Sequence, residues 1–308
     1  MKRLLQLILI VAAIPAWSQT MNDGLMMPAK SFCTGFMYSS DQWHDYWEGS
    51  LKRDNLNIGT LTTQTLAYYG VYGINEKINL MASVPYVWTK ASGGTLTGLQ
   101  GFQDLTVAGK YNFFKTENET GKFKAFVVGT FSTPLTNYTP DFFPLSLGFA
   151  STTFSGRLTT NYFLNKGWYA NASAGYTYRN NVKLDRPAYF TDGQYYSTDE
   201  VKMYDVFDYN VSLGYNLKAF RAEVFWAQMN TLGGGDIRRQ DMPFVSNKMN
   251  SMKVGATLMC YLSTPKNVVL RGVVSETVAG RNVGQTFSYQ LGILYTLNFN
   301  KDTQSTQQ

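Results

Sequence analysis

The chain has one histidine, His44, in Asp41-Gln42-Trp43-His44-Asp45-Tyr46-Trp47, with Ser39 and Ser40 five and four residues before it. Imidazole exchanges a proton near neutral pH, and a serine hydroxyl within its reach could become a nucleophile. That pair supports one enzyme hypothesis, a hydrolase. Against it, no orienting Asn is evident, and a solvated loop histidine accounts equally well for the residue. Other chemistry is sparser. Cys33 and Cys260 lack the clustered spacing of a zinc site and are too few for a disulfide scaffold, so they read as packing residues. Met21, Met26 and Met27 have no His or Cys partner that would make them a copper site. Gly233-Gly234-Gly235-Asp236 lacks the lysine of a phosphate loop and the oxygen ligands of a calcium loop, and reads as a flexible loop. No catalytic residue, cofactor or metal is therefore assigned.

The elements that would carry these residues begin with an export signal. Met1-Lys2-Arg3 is basic, Leu4 to Ile14 is an apolar run too short to span the ~30 Å hydrocarbon core, and Ala16-Trp17-Ser18 presents small residues to a signal peptidase. We expect residues 1–18 to be a signal peptide and the mature domain to run over 19–308, with Lys301 to Gln308 a polar disordered tail. The formal charge of +6 falls to +4 once Lys2 and Arg3 are removed, and no block of basic residues suggests nucleic acid. The chain is 44% hydrophobic and 15% aromatic but only 16% charged. A secreted sandwich or a barrel facing lipid has such a balance.

Periodicity separates the two. Phe287, Tyr289, Leu291, Ile293, Tyr295, Leu297 and Phe299 share one face of a period-2 run, opposite Ser288, Gln290, Gly292, Leu294, Thr296 and Asn298. Phe207 to Leu217 and Trp168 to Arg179 repeat the pattern. Such segments number about twelve: 32–40, 57–72, 77–88, 101–114, 123–133, 151–164, 168–179, 205–217, 220–232, 249–262, 267–278 and 285–299. The first is short and the fifth alternates poorly, so ten or fourteen strands also fit. Connections alternate short and mostly long, which predicts an all-β fold: a single antiparallel transmembrane β-barrel with periplasmic turns, extracellular loops and both termini in the periplasm. The topology then gathers Tyr86, Trp88, Tyr176, Tyr178, Phe207, Tyr209, Phe287 and Tyr289 into an upper aromatic girdle, and Tyr111, Phe113, Trp168, Tyr215 and Phe299 into a lower one. It also sets Cys33 and Cys260 three strand steps apart, too far to bridge.

Alternation directs Asp104, Lys110, Asp208, Arg221, Glu223, Lys253 and Arg271 into the lumen, because a charge facing lipid costs a few kcal/mol. They could form a polar conduit of mixed sign, or an ion-paired filling that holds a narrow barrel together. Two extracellular loops carry apolar residues where solvent would favour polar ones: Trp43 to Trp47, and Tyr138 to Leu145 with Phe142 and Phe143. They either fold down over the barrel mouth or capture an apolar solute.

Tyr69 to Lys90 and Gly98 to Phe114 carry a further signal. A glycine-ended strand, a tight turn, a second strand ending in Val84-Pro85-Tyr86, then Gly101-Phe102-Gln103-Asp104-Leu105, resembles the outer-membrane barrels of the meta-pathway phenol-degradation family, many of them called transporters. The likeness is strong over about a quarter of the chain; relatives often have Gly-Asp-Leu where this chain has Gln103-Asp104-Leu105. It implies a Gram-negative outer-membrane barrel for uptake of small hydrophobic compounds, distantly similar to the fatty-acid transporters. About a dozen residues precede the first strand, too few for the N-terminal hatch of those transporters, which argues against a hatch-gated mechanism.

The sequence thus predicts an outer-membrane channel or transporter for small, hydrophobic or aromatic solutes. Its surroundings are outer-membrane lipid and lipopolysaccharide and its cargo a small molecule, with the oligomeric state left open. A structural or adhesive barrel with a closed lumen, or an outer-leaflet lipid hydrolase using His44, are the alternatives.

Overall fold

Strands whose side chains alternate between apolar and small or polar must face lipid on one side and an interior on the other, and closing them into a ring leaves no edge unpaired. The computed structural model, described over residues 19–238 and 243–299, does this. Its strands are β1 (Ser31–Trp43), β2 (Leu61–Gly73), β3 (Ile78–Ala91), β4 (Gln100–Phe102 and Asp104–Glu117, one strand interrupted at Gln103), β5 (Gly121–Pro134) and β6 (Thr153–Leu164). β7 (Trp168–Arg179), β8 (Val206–Asn216), β9 (Phe220–Thr231), β10 (Asn250–Tyr261), β11 (Val268–Arg281) and β12 (Phe287–Asn298) complete them. Each pairs antiparallel with its chain neighbours, and β1 closes the ring by pairing with β12 through Ser31↔Asn298 to Gln42↔Phe287. The barrel therefore has twelve strands. Among the described residues no helix is long and apolar enough to cross a membrane.

Strand direction follows the expected loop asymmetry. The turns at 74–77, 118–120, 165–167, 217–219 and 262–267 are short, whereas the connections at 44–60, 135–152, 180–205 and 232–249 are long. Two of the long loops carry strand pairs of their own: Asp45–Glu48 with Leu51–Asp54 in the first, and both Tyr189–Thr191 with Gln194–Tyr196 and Val182–Lys183 with Glu200–Val201 in the 180–205 loop. On the outer wall Leu291, Ile293, Leu213, Val211 and Val224 are each at least half exposed, as a lipid-facing surface requires. Trp168 packs edge-on against Tyr215, with centroids 5.1 Å apart, in the lower girdle; Tyr86 packs on Phe102 in the upper one.

Several boundaries differ from the sequence reading. β2 begins at Leu61 rather than at 57, because Ile58 N donates to Asn55 Oδ1 and Gly59 takes φ +69°, which turns the chain before pairing starts. β1 and β5 run 13 and 14 residues, so the short first segment and the poorly alternating fifth are both full strands. Trp43 is the last residue of β1 rather than a loop residue. Cys33 and Cys260 are both free thiols, on strands separated by β11 and β12. The signal-peptide assignment at 1–18 and the tail at 301–308 lie outside the described residues.

Candidate functional site in the barrel lumen

The interior of the barrel is not an empty polar conduit. Residues 19–29, which lead into β1, fold up between the strands, and Gln19, Asp23, Leu25 and Met27 are all buried there. A tight turn shapes this plug: Asp23 Oδ2 accepts from Thr20 N at 2.6 Å and Thr20 Oγ1 at 2.8 Å, and Oδ1 accepts from Leu25 N at 2.9 Å. The dozen residues are too few for a hatch domain, yet they pack inside a barrel this narrow.

Wall and plug are joined by polar contacts above an apolar seam. Lys110 of β4 is fully buried, and its Nζ donates to Thr20 O at 3.0 Å, Asp23 O at 2.6 Å and Asp23 Oδ1 at 3.2 Å, over the ring of Phe126. Tyr69 OH donates to Gln19 O at 2.5 Å, Thr159 Oγ1 donates to Met21 O at 3.3 Å, and the side-chain amides of Gln19 and Asn79 pair at 2.5 Å. Around the lower plug, Met27 packs with Cys33, Tyr69, Val71, Met81, Ala108 and Val128, while Met21 leans on the same cluster. Met27 and Met21 thus serve as packing between plug and wall. Gly24 lies so close to the wall that a Cβ there would sit 2.2 Å from Asn161 Cγ. Glycine at 24 is what lets the segment approach.

Around Asp23, Arg271 of β11, Arg221 and Glu223 of β9, Tyr169 of β7 and Met259 of β10 enclose a void of only about 20 Å³. Arg221 Nε donates to Tyr169 OH at 2.7 Å, and its guanidinium lies 3.7 Å from that ring's centroid. Glu223 accepts from Asn171 Nδ2 at 3.0 Å, with Arg221 3.9 Å away. Higher up, Asp208 pairs with Arg157, which also donates to Ser173 at 3.2 Å. Near the mouth Asp104 Oδ1 accepts from Tyr138 OH of the 135–152 loop at 2.6 Å. Burial, reinforced by the Asp104 carboxylate, holds the Tyr138 hydroxyl well above its ordinary pKa, so it stays a donor. The structure thus gathers Lys110, Arg221, Glu223 and Arg271 around one plug residue, Asp23, and leaves Asp104, Asp208 and Lys253 in other surroundings. Asp23, Tyr69 and Arg157 were not among the candidates from the sequence, and Tyr169 reads there only as an inward-facing residue. The only available signal for Asp23 was a carboxylate just ahead of the first strand.

The family model described as "Putative MetA-pathway of phenol degradation" matches residues 52–299. The chain belongs to this family. Among solved structures, a COG4313 outer membrane channel from Pseudomonas putida F1 is 13% identical, with a TM-score of 0.67 over 88% of this chain and 97% of that one. Looser likenesses include the TodX monoaromatic hydrocarbon channel deltaS2 mutant, 10% identical with TM-score 0.44 over 89% and 91%, and a KdgM porin in complex with oligogalacturonate, 8% identical with TM-score 0.46 over 86% and 99%. Comparison with curated proteins by sequence gives no match. The protein is an outer-membrane β-barrel of the phenol-degradation family.

In this family member the extracellular loops fold over the mouth and form three apolar clusters. Leu145 is fully buried beside Ile58 and Leu61, Leu147 packs on Val87 and Tyr138, and Phe143 stacks on Phe149 next to Val182, Leu184, Tyr189 and Val245. Phe142, in a single 3-10 turn over Pro140–Phe142, remains 42% exposed. Trp47 N donates to Val283 O at 2.9 Å, which ties the first loop to the last. His44 is exposed, and no hydrogen bond links it to Ser39 or Ser40.

Proposed function

We propose that this barrel is an outer-membrane channel for small apolar solutes, aromatic compounds among them, and that its resting lumen is closed by the 19–29 plug. The observation that carries the reading is that the lumen is blocked at mid-height by a short segment held through one ion pair, a few hydrogen bonds and a methionine seam. Such a segment is separable from the wall without breaking a strand pair. Apolar loop clusters at the mouth offer a first surface for a hydrophobic solute, and the family description, which names phenol degradation, accords with this use. In this reading Lys110, Arg221, Glu223 and Arg271 hold the plug, Asp104, Asp208 and Lys253 line the path above it, and Phe142 is a landing residue at the mouth.

A closed structural barrel is the second reading, favoured by the 20 Å³ void around Asp23, about the room of one water. Single-channel recording distinguishes the two. We expect brief, small openings for wild type and an open fraction raised several-fold in Gly24→Leu, whose side chain has no space beside Asn161. Silence from both proteins would leave only the structural barrel.

A further inference from the structure

At the periplasmic end, the plug and strands β4, β5, β6 and β9, with the turns at 165–167 and 217–219, surround a second cavity of about 650 Å³. Its charged lining is wholly basic: Lys115, Lys122, Lys124, Lys166, Lys218 and Arg221. Only Lys122 and Arg221 have a carboxylate in reach, Glu117 at 2.8 Å and Glu223 at 3.9 Å respectively. Lys115, Lys124, Lys166 and Lys218 have no ion pair among the described residues. Like charges converging from three strands and two turns repel, and a fold tolerates them at one point when an anion neutralises them.

Arg221 gives the second, independent indication. It is buried, 6% exposed, and its Nη2 makes no hydrogen bond among the described residues, with the Glu223 carboxylate no nearer than 3.9 Å, although its Nε is satisfied by Tyr169. A buried guanidinium nitrogen left without a hydrogen bond is expensive and is usually completed by an acceptor. The remaining walls are aromatic and apolar, from Phe163, Tyr215, Tyr261, Leu217 and Leu25, with amides from Asn161, Asn165 and Asn216 between them. Volume and enclosure suit a small molecule rather than a protein, and the mixture suits one with a flat apolar body and one anionic group.

We infer that this vestibule is a binding site for small organic carboxylates with an apolar or aromatic body, placed where the lumen opens to the periplasm. The inference rests on the channel reading only for what the site serves: a solute whose head is ionised is held at the exit, beside the plug. Binding itself needs no transport.

The test is calorimetric titration of the purified, detergent-solubilised full barrel with benzoate, with benzyl alcohol as the neutral isostere and inorganic phosphate as the anion without a body. Benzoate is expected to bind about tenfold tighter than benzyl alcohol, the ratio of one charge-assisted contact, and to weaken as salt rises. The exposed-turn variant Lys166→Gln/Lys218→Gln should lose affinity several-fold while keeping the barrel's strand circular dichroism, and Lys124→Gln should lose more. Equal affinity for benzoate and benzyl alcohol overturns the proposal, as does phosphate binding as tightly as benzoate, or benzoate affinity unchanged in both variants. Flux of neutral solute, measured separately on the same preparation, reports on the channel alone, so either reading can fail without the other.

Discussion

At the residue scale, most of the interior energetics converge on Lys110. A buried ammonium loses its hydration and is stable only because Asp23 and two carbonyls replace it. Lys110→Met removes the ion-pair partner of the buried Asp23 carboxylate, and breaking a buried pair in this way typically costs about 3–5 kcal/mol, an upper figure here because Thr20 and Leu25 still donate to it. Because the plug is the weaker partner, the loss should appear there: amide exchange at residues 20–27 should accelerate while that of β4 and β5 stays slow. Unchanged exchange at 20–27 would show that the methionine seam alone holds the plug. Asp23→Leu combined with Lys110→Met should recover part of the protection, since an apolar pair of similar size needs no partner. In the loops, Asp236 accepts two hydrogen bonds from Arg281, at 2.8 and 2.5 Å, and one from Asn282 at 2.7 Å; these hold its carboxyl below the ordinary carboxylate range, Arg281 contributing most. A depressed pKa stabilises the docked loop above the unfolded value of about 3.9, and that stability is lost as pH falls through the depressed value. Titration by NMR should find the Asp236 midpoint below that of a free aspartate, about 3.9; a midpoint at or above that value would contradict the arrangement.

At the element scale, each strand must satisfy lipid outside and a plug inside. On β12, Leu291 is 60% exposed on the lipid side, whereas its neighbour Gln290 faces inward. Leu291→Arg should therefore lower stability by about 2–4 kcal/mol in urea unfolding from liposomes, and Gln290→Arg by much less. Equal losses would mean the two faces are misassigned. This two-sidedness also explains what the sequence revealed and what it concealed. β7, β8 and β12 were legible because their inner positions are small or polar, so the alternation is clean. β5 alternates poorly because its inward residues include Phe126 and Val128, apolar where a water-filled lumen would demand polar ones, whereas β1 reads only as short. The blurred pattern was the imprint of the plug. No local pattern could have disclosed the plug itself: 19–29 has neither period nor cap, and its conformation is imposed by Lys110, Tyr69 and Asn79 from strands 40 to 90 residues further along the chain.

At the scale of the whole molecule, the barrel has three successive levels: a mouth closed over by apolar loop clusters, a mid-lumen packed around Asp23, and a basic vestibule open to the periplasm. The inward charges lie at different heights in the barrel. Four of them surround the plug, while the Arg157–Asp208 pair and Asp104 lie above it. Under the proposed function, passage depends on displacing the eleven residues 19–29 rather than on widening the ring, so the strand pairing can remain intact while the lumen opens. The most direct measurement is entry of phenol into asymmetric vesicles, with lipopolysaccharide in the outer leaflet, that carry wild-type or Gly24→Leu protein. The account predicts entry faster than in protein-free vesicles for wild type and faster again for Gly24→Leu. Rates equal to the protein-free vesicles for both proteins would contradict it.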